Sequence, residues 1–342
     1  MLGFGVFLLY LYFFTDFANV VGVIGKTNVA IYALAFLCVL GGAVFNALAW
    51  RSVLGNLSVK ASFRRTFNLS WVGTFVDALI PGGWSGDVFK TYLLSKDPGV
   101  DKAKAAAAIV IKNVLELLVT LAALIAGIVL LAFNYSLDRV VMVAIGITMF
   151  LLALPLIIVI YLSTNLAATS KMLGWLKRFS ARIRRKQAET SEVGDKIGNS
   201  LQEFHDGIMS MKTNPKSMIE PILLQILAWA FDIMSLFIVF AALGSLVTPD
   251  KIIIANTIVV NLQSQGVALA GFAQIVSSTV YTVLGIAPII AIASSLLSGF
   301  AVFWFKILVA FFAFQATVLD QCVPFLYKKY SSSNGTSEGI TD

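Results

Sequence analysis

Long apolar runs, separated by short polar stretches, set the pattern of this chain. A helix that crosses the hydrocarbon core of a bilayer needs roughly 20 apolar residues at about 1.5 Å per residue. Six runs reach this length and predict an all-α polytopic membrane protein with about six transmembrane helices. These runs cover residues 2–24, 28–50, 105–133, 140–162, 218–243 and 286–320.

Two further apolar runs are interrupted. Residues 66–94 contain Pro81 and several glycines, and residues 251–284 contain Gly266 and Gly271 among amide side chains. Each run is too broken for one helix and too short for two full spans, so each is predicted to form a re-entrant helical hairpin. Irregular backbone at membrane depth is stable only inside protein or beside a wet cavity. The alternative is an eight-helix bundle in which both hairpins cross the membrane fully.

The composition excludes an ordinary soluble protein. Of the 342 residues, 58% are hydrophobic and 13% are charged, whereas soluble domains carry roughly 25% charged residues. The two cysteines and the single histidine lack metal-ligand spacing, so no metal and no cofactor are expected. The sequence also lacks a nucleotide-binding loop and a nucleophile elbow, so no enzymatic activity is predicted.

Basic residues predict which side of the membrane each loop occupies. The net charge of +7 is concentrated in residues 51–65, 96–104 and 165–217. Loops rich in Lys and Arg stay in the cytoplasm, so the charge predicts orientation and not nucleic-acid binding. The distribution of basic residues therefore predicts a multi-pass protein of the cell membrane with both termini in the cytoplasm.

One sizeable polar segment, residues 165–217, interrupts a single transmembrane domain predicted to cover residues 1–326. Its stretch KMLGWLKRFSARIRRK has apolar residues on one helical face and bases on the other, which is typical of a helix lying on anionic lipid. The alternative is a solvated cytoplasmic loop whose bases only set the topology. Residues 327–342 form a polar C-terminal tail.

The same order of helices occurs twice. Residues 28–133 contain a span, a hairpin and a long helix, and residues 218–320 repeat this order. The predicted topology places the second unit upside down relative to the first. Inverted repeats with broken helices are typical of transporters, whose substrate site lies where the repeats meet.

The tip of the first hairpin, PGGWSGDVFK, has the residue types of an anion site. Pro81 ends the incoming helix, and the glycines allow close backbone approach. The next helix starts near Ser85 and directs free N–H groups at the tip, and Lys90 adds a positive charge. Asp87 either caps this helix or pairs with Lys90, while Trp84 either packs or lines the site; the alternative is a plain tight turn. The predicted binding residues are Gly82, Gly83, Trp84, Ser85, Asp87 and Lys90.

Charged residues inside apolar helices predict a polar cavity. A charge at mid-bilayer costs about 2.5–3.5 kcal/mol on insertion scales, so such residues usually face the protein interior. Lys112 and Glu116 are four residues apart and can pair on one helix face, whereas Asp232 has no evident local partner. The alternative is a structural role, as ion pairs that hold the two repeats together. The cavity set is Asp77, Lys112, Glu116, Asp232 and Lys306.

In the second hairpin, the stretch NLQSQGVALAGFAQIVSSTVYTVLG offers amides and hydroxyls but no charge. Its predicted binding residues are Gln263, Gln265 and Gln274, which can hydrogen-bond a head group without neutralising it. One charged and one neutral hairpin suit a ligand that has a phosphate and a hydroxyl- or amine-bearing part.

The stretch LIPGGWSGDVFKTYLLSKDPGVDKAKAAAAIVIKNVLELL resembles the core signature of the lysylphosphatidylglycerol synthase transmembrane-region family. Gly86, Asp87 and Lys90 match its Gly-acid-basic pattern, with Lys for the usual Arg. LAGFAQIVSSTVYTVLGI is similar to the family's second hairpin, with Gln274 in place of an acid. The resemblance implies a domain that moves aminoacylated phosphatidylglycerol or accompanies polyprenyl-phosphate chemistry. The family's separate soluble synthase domain is not expected here, since only a short tail follows residue 326.

Three functions therefore compete. The first is a flippase-like translocator of a phosphate-bearing lipid, such as an aminoacylated phospholipid or a polyprenyl-phosphate-linked intermediate. The second is an ion-coupled secondary transporter of small solutes, and the third is an enzyme or non-catalytic subunit of glycolipid assembly. The expected partners are membrane lipids with an anionic phospholipid or polyprenyl-phosphate head group, and not nucleic acid; homo-oligomerisation is left open.

Overall fold

The computed structural model describes residues 17–80, 85–134, 215–262 and 272–317, with isolated helical positions between 143 and 161. Every regular element within these ranges is helical. The predicted spans 2–24 and 140–162 lie largely outside the described residues, and residues 165–214 and the tail 327–342 lie wholly outside them. The same holds for five predicted site residues: Gly82, Gly83, Trp84, Gln263 and Gln265.

Two groups of four helices follow the short helix α1, Phe17–Gly25. The first group consists of α2 (Val29–Asn56), α3 (Phe63–Leu79), α4 (Ser85–Leu94) and α5 (Lys102–Asn134). After a 3-10 turn at Pro215–Met218, the second group consists of α6 (Ile219–Ala242), α7 (Pro249–Leu262), α8 (Phe272–Val283) and α9 (Pro288–Thr317). Helix α9 contains a π-helical segment, Gly299–Trp304. Each interrupted run is thus a pair of short helices, and their re-entry into the membrane stays a prediction.

This is an all-α polytopic membrane protein. Within the described residues, four helices are long and apolar enough to cross a membrane, namely Val29–Asn56, Lys102–Val129, Pro215–Ala242 and Pro288–Thr317. Large apolar side chains lie exposed on these helices, for example Leu37, Leu118 and Phe312. Such extended apolar surface is what a lipid environment covers.

Polar residues in the connections fix where the helices begin. The Asn28 Oδ1 atom accepts hydrogen bonds from the N–H groups of Ala30 and Ile31 at 3.1 and 3.2 Å. Asp101 Oδ1 accepts in the same way from Ala103 at 2.8 Å. These side chains satisfy N–H groups that have no partner in the first turn of a helix, so α2 and α5 begin where the caps stand.

Two large hydrophobic cores lie largely within the two predicted units. The first unit packs around Trp50, Leu54 and Leu94 of α2 and α4. The second packs around Phe240 and Ile252, with residues of α8 and α9. The division into two units and the inversion of the second unit both stay predictions.

Helices α2 and α6 join the units at two adjacent glycines. A Cβ atom on Gly41 would lie 2.6 Å from the Phe231 ring, and one on Gly42 would lie 3.1 Å from Asp232 Oδ1. Ring stacking between Phe45 and Phe231, with centroids 5.3 Å apart, extends this contact. The small residues therefore let α6 approach closely enough to bring Asp232 to the interface.

Candidate functional site

The first turn of α4 is held by a carboxylate from α3. Asp77 Oδ1 accepts a hydrogen bond from the Gly86 N–H at 2.7 Å and from the Ser85 hydroxyl at 2.8 Å. The Ser85 hydroxyl also lies 2.9 Å from the carbonyl oxygen of Ile80. The prediction that this helix start is free for a ligand is therefore wrong at Gly86, because the protein supplies its own anion there.

Lys90 lies at the centre of the first unit. Its ammonium group is 2.5 Å from Asp87 Oδ1, and the side chains of Lys90 and Asp87 are only 8% and 17% exposed. The Trp50 ring lies beneath the ammonium, 5.1 Å from ring centroid to Nζ, in a cation–π arrangement. Asn113 Nδ2 donates to the other Asp87 oxygen, Oδ2, at 2.6 Å. The predicted Asp87–Lys90 pair is thus confirmed, and α5 takes part in it.

A second lysine lies beside this pair. Lys112 Nζ is 2.5 Å from Glu116 Oε2, as the spacing of four residues predicts. Lys112 is 7% exposed and Glu116 is 44% exposed. Lys90 and Lys112 also repel each other electrostatically, and both attract Asp87. Two ammonium groups therefore share one largely buried region, while one of their carboxylate partners stays partly open.

The charges continue from the first unit into the second. Lys112 interacts electrostatically with Asp232 of α6, and Asp232 Oδ1 lies 3.5 Å from Lys306 Nζ of α9. Asp232 therefore has a partner in Lys306, which lies 74 residues further along the chain, and this agrees with the lack of a local partner in the sequence. Asp232 is 44% and Lys306 29% exposed, which makes this pair more open than the Asp87–Lys90 pair.

Six predicted residues thus belong to one chain of charges that crosses the interface between the units. We call this chain the central network, and it is formed by Asp87, Lys90, Lys112, Glu116, Asp232 and Lys306, with Asn113 as a neutral bridge. Asp77 adds a carboxylate at its edge, on the start of α4. When Asp77 is counted with the network, its acidic residues exceed its basic residues by one. Binding of a further anion is therefore not favoured unless one carboxylate moves away.

Two glycines hold the helices of the first hairpin against each other. A Cβ atom placed on Gly86 would overlap the carbonyl oxygen of Gly73 and the carboxylate of Asp77. A Cβ atom on Gly73 would lie 3.1 Å from the Gly86 oxygen and 3.1 Å from Lys90 Cδ. The contact is backbone against backbone, so only glycine fits at Gly86 while Asp77 caps α4.

The second hairpin makes polar contacts of another kind. The hydroxyls of Ser278 and Thr282 on α8 donate to carbonyl oxygens of their own helix, at 3.0 and 2.8 Å. Ser277 donates likewise to Ala273. The Gln274 amide lies against Gly299, at the start of the π-helical segment of α9. Gln274 of α8 thus packs against α9 at Gly299, seven residues before Lys306.

Trp50, Asn113 and Gly73 are contacts that the sequence analysis did not assign to the site. Trp50 stands in an apolar run and has the appearance of an ordinary core residue. Asn113 directly follows Lys112. A polar amide inside a long apolar helix usually faces the protein interior, so Asn113 could have been identified from the sequence. The Trp50 Nε1–H is buried and has no hydrogen-bond partner among the described residues, so it is an unused donor close to Lys90.

Charged side chains run from one helical unit into the other, and two of them, Lys90 and Lys112, are nearly buried. The protein therefore belongs to the class of integral membrane proteins that have a polar interior. Within that class, the chain belongs to the family described as the lysylphosphatidylglycerol synthase TM region, which matches residues 1–310. This confirms the family resemblance of the sequence and the location in a membrane.

Three archaeal membrane proteins, each named only as a UPF0104 membrane protein, are similar to this chain. The one from Methanocaldococcus jannaschii is 25% identical over 303 residues, covering 85% of this chain and 86% of the relative. The one from Pyrococcus horikoshii is 20% identical over 288 residues, covering 82% and 84%. The one from Methanothermobacter thermautotrophicus is 21% identical over 263 residues, covering 75% and 76%.

Proposed function

We propose that this protein moves a phosphate-bearing lipid between the leaflets of the cell membrane, with both termini in the cytoplasm. The observation that carries the proposal is the presence of two nearly buried, mutually repelling lysines, Lys90 and Lys112, in the interior of a membrane protein. Ionised groups at this depth are costly and usually mark a substrate path. A phosphate held by both ammonium groups removes the repulsion between them. The family name, which refers to a phospholipid, supports the same substrate class.

Binding requires an exchange of partners, because the central network already contains as many acids as bases. Glu116 is the carboxylate best placed to leave, since it is 44% exposed while its partner Lys112 is 7% exposed. The phosphate then takes the place of Glu116 on Lys112. Asp87 stays on Lys90, where Asn113 also holds it.

The mixed charge of the network fits an aminoacylated phospholipid. Its phosphate pairs with the lysines, and its amine pairs with Glu116 or Asp232, which are both partly exposed. A polyprenyl-phosphate-linked intermediate uses the lysines alone. No bond of the lipid breaks in this step, so we propose transport without catalysis.

A transport assay on a neutralised pair tests the proposal. The double variant D87N/K90M removes both charges together and keeps an acceptor for Asn113, so it avoids leaving a lone buried charge. Reconstituted in liposomes with fluorescent phosphatidylglycerol, it should move lipid at least about tenfold more slowly than the wild type. Lys90→Arg should keep most of the rate, because it retains the charge and suits phosphate.

The matched control is R65Q/D97N, which neutralises the other ion pair of the same hairpin. Arg65 binds Asp97 through two hydrogen bonds of 2.8 and 2.9 Å at the far end of α3 and α4. This control should move lipid at the wild-type rate. Wild-type lipid movement by folded D87N/K90M would overturn the proposal.

Ion-coupled transport of a small solute is the second candidate. The observation that favours it is the partial exposure of Glu116 and Asp232, since exposed carboxylates inside a membrane protein suit proton or cation binding. In the same liposomes, this function requires solute uptake driven by an ion gradient without lipid movement.

A further inference from the structure

A cavity of about 590 Å³ lies at the loop that joins α2 to α3, and none of the residues that line it belongs to the central network. Its lining includes the side chains of Arg51, Ser58, Lys60 and Ser62. Two cations and two hydroxyls therefore border one open space. These are the groups that bind phosphate oxygens in proteins.

The cations of this cavity are not neutralised by the protein. Residues 51–65 contain no acidic residue, and among the described residues neither Arg51 nor Lys60 takes part in a salt bridge. Arg65, only a few residues further on, is by contrast paired with Asp97 at 2.8 Å. Arg51 and Lys60 thus keep their charges available at the cavity, whereas the charge of Arg65 is neutralised by Asp97.

Arg51 is already oriented towards the loop. Its Nε–H donates to the carbonyl oxygen of Ala61 at 3.3 Å, which anchors the guanidinium while leaving its terminal N–H groups for a ligand. A guanidinium held in this way loses less freedom when it binds an anion.

Ser58 stands where the backbone favours glycine. The chain leaves α2 with hydrogen bonds from Ser58 N–H to Gly55 O at 2.9 Å and from Val59 N–H to Leu54 O at 2.9 Å, which is the pattern that usually ends on a left-handed glycine. Ser58 has φ 60°, a left-handed conformation. A residue that carries a Cβ atom is strained in this conformation. The strain keeps a hydroxyl at the edge of the cavity, and such strain is concentrated at functional sites.

We propose that this cavity is a phosphate-binding site, in which Arg51 and Lys60 pair with phosphate oxygens and the hydroxyls of Ser58 and Ser62 donate hydrogen bonds to them. The proposal does not depend on the function of the central network. The phosphate comes either from an anionic lipid head group at the membrane surface or from free phosphate. The opposing interpretation is that these bases only orient the chain.

Lipid binding by the detergent-solubilised full chain tests the site. Native mass spectrometry with phosphatidylglycerol compares the wild type, the cavity variant R51Q/K60Q and the control R64Q/K96Q, which removes two other exposed bases. Arg51 and Lys60 pair directly with the phosphate in the proposed site, so the cavity variant should bind at least about tenfold more weakly. Arg64 and Lys96 do not line the cavity, so the control should bind less than about twofold more weakly. Equal loss in both variants, or no loss in either, would overturn the proposal.

Two further arms identify the phosphate source and the role of Ser58. Binding of inorganic phosphate alone, with displacement of the lipid, supports a free-phosphate site; lipid binding that millimolar phosphate leaves unchanged supports a head-group site. Ser58→Gly keeps both cations and relieves the backbone strain, so it should raise thermal stability and weaken binding about twofold to threefold. Tighter or unchanged binding of folded Ser58→Gly would remove Ser58 from the site.

Discussion

The two hairpins occupy equivalent places in the two helix groups, but their polar groups are used differently. In the first hairpin, Asp77, Asp87 and Lys90 make contacts between helices, and Asn113 of α5 joins them. In the second hairpin, the hydroxyls of α7 and α8 donate to carbonyl oxygens of their own helices, as Thr257 does to Ile253 at 2.8 Å. The charged groups of the first hairpin thus join helices, whereas these hydroxyls of the second hairpin bond within one helix.

The difference shows where the chain keeps groups that can bind a ligand. Hydroxyls that are bonded within their own helix are already satisfied, and the second hairpin is anchored by buried residues such as Ile252, Ile254 and Tyr281. Charges that are bonded between helices can exchange partners when the helices move. The charged groups that can exchange partners between helices therefore lie largely on the first hairpin and α5.

Removing one charge should produce the largest contrast between the two groups. Lys90→Met leaves Asp87 as a largely buried carboxylate without its cation, and breaking a buried pair on one side costs about 3–5 kcal/mol. Lys306→Met removes a cation from the more open Asp232 pair and should cost about 1 kcal/mol. Unfolding by SDS titration in mixed micelles measures both losses of unfolding free energy. Equal losses would show that the burial of an ion pair does not determine the cost of breaking it.

A glycine substitution in each group compares rigid with adaptable packing. Gly86→Ala forces a methyl group against the Gly73 carbonyl and the Asp77 carboxylate, so it should cost about 3 kcal/mol. At Gly299 the three atoms nearest to an added Cβ all belong to the Gln274 side chain, which can turn away, so the stability of Gly299→Ala should stay within about 1 kcal/mol of the wild type. The same titration measures both, with Gly55→Ala as the control because nothing lies within 4 Å of its added Cβ. A loss of unfolding free energy for Gly86→Ala as small as that for Gly55→Ala would contradict the close backbone contact between Gly73 and Gly86.

The smallest effect is expected for the ion pair that closes the open end of the first hairpin. Arg65 and Asp97 are 29% and 30% exposed, so Arg65→Gln should cost only about 1 kcal/mol. Salt screens exposed pairs, so this cost should shrink between about 0.05 and 1 M NaCl. The cost of Lys90→Met should not change with salt, since its pair is buried. If the stability cost of Arg65→Gln did not change with salt, the Arg65–Asp97 pair would behave like a buried ion pair.

The sequence by itself determined the helices and the local pairs. Apolar run length predicts α2, α5, α6 and α9 because a membrane-spanning helix has a fixed rise per residue. Spacings of three and four residues predict Asp87–Lys90 and Lys112–Glu116 because these positions share one helix face. Both pairs are confirmed at 2.5 Å.

Only the tertiary structure decided which distant residues meet. Asp77 on the start of α4, Trp50 beneath Lys90 and Lys306 beside Asp232 each depend on how helices pack. No period or spacing in the chain specifies these contacts, since they result from the close approach of helices at Gly73, Gly86 and Gly42. The charged residues were therefore identifiable from the sequence, whereas their partners were fixed by backbone contacts that side-chain patterns do not encode.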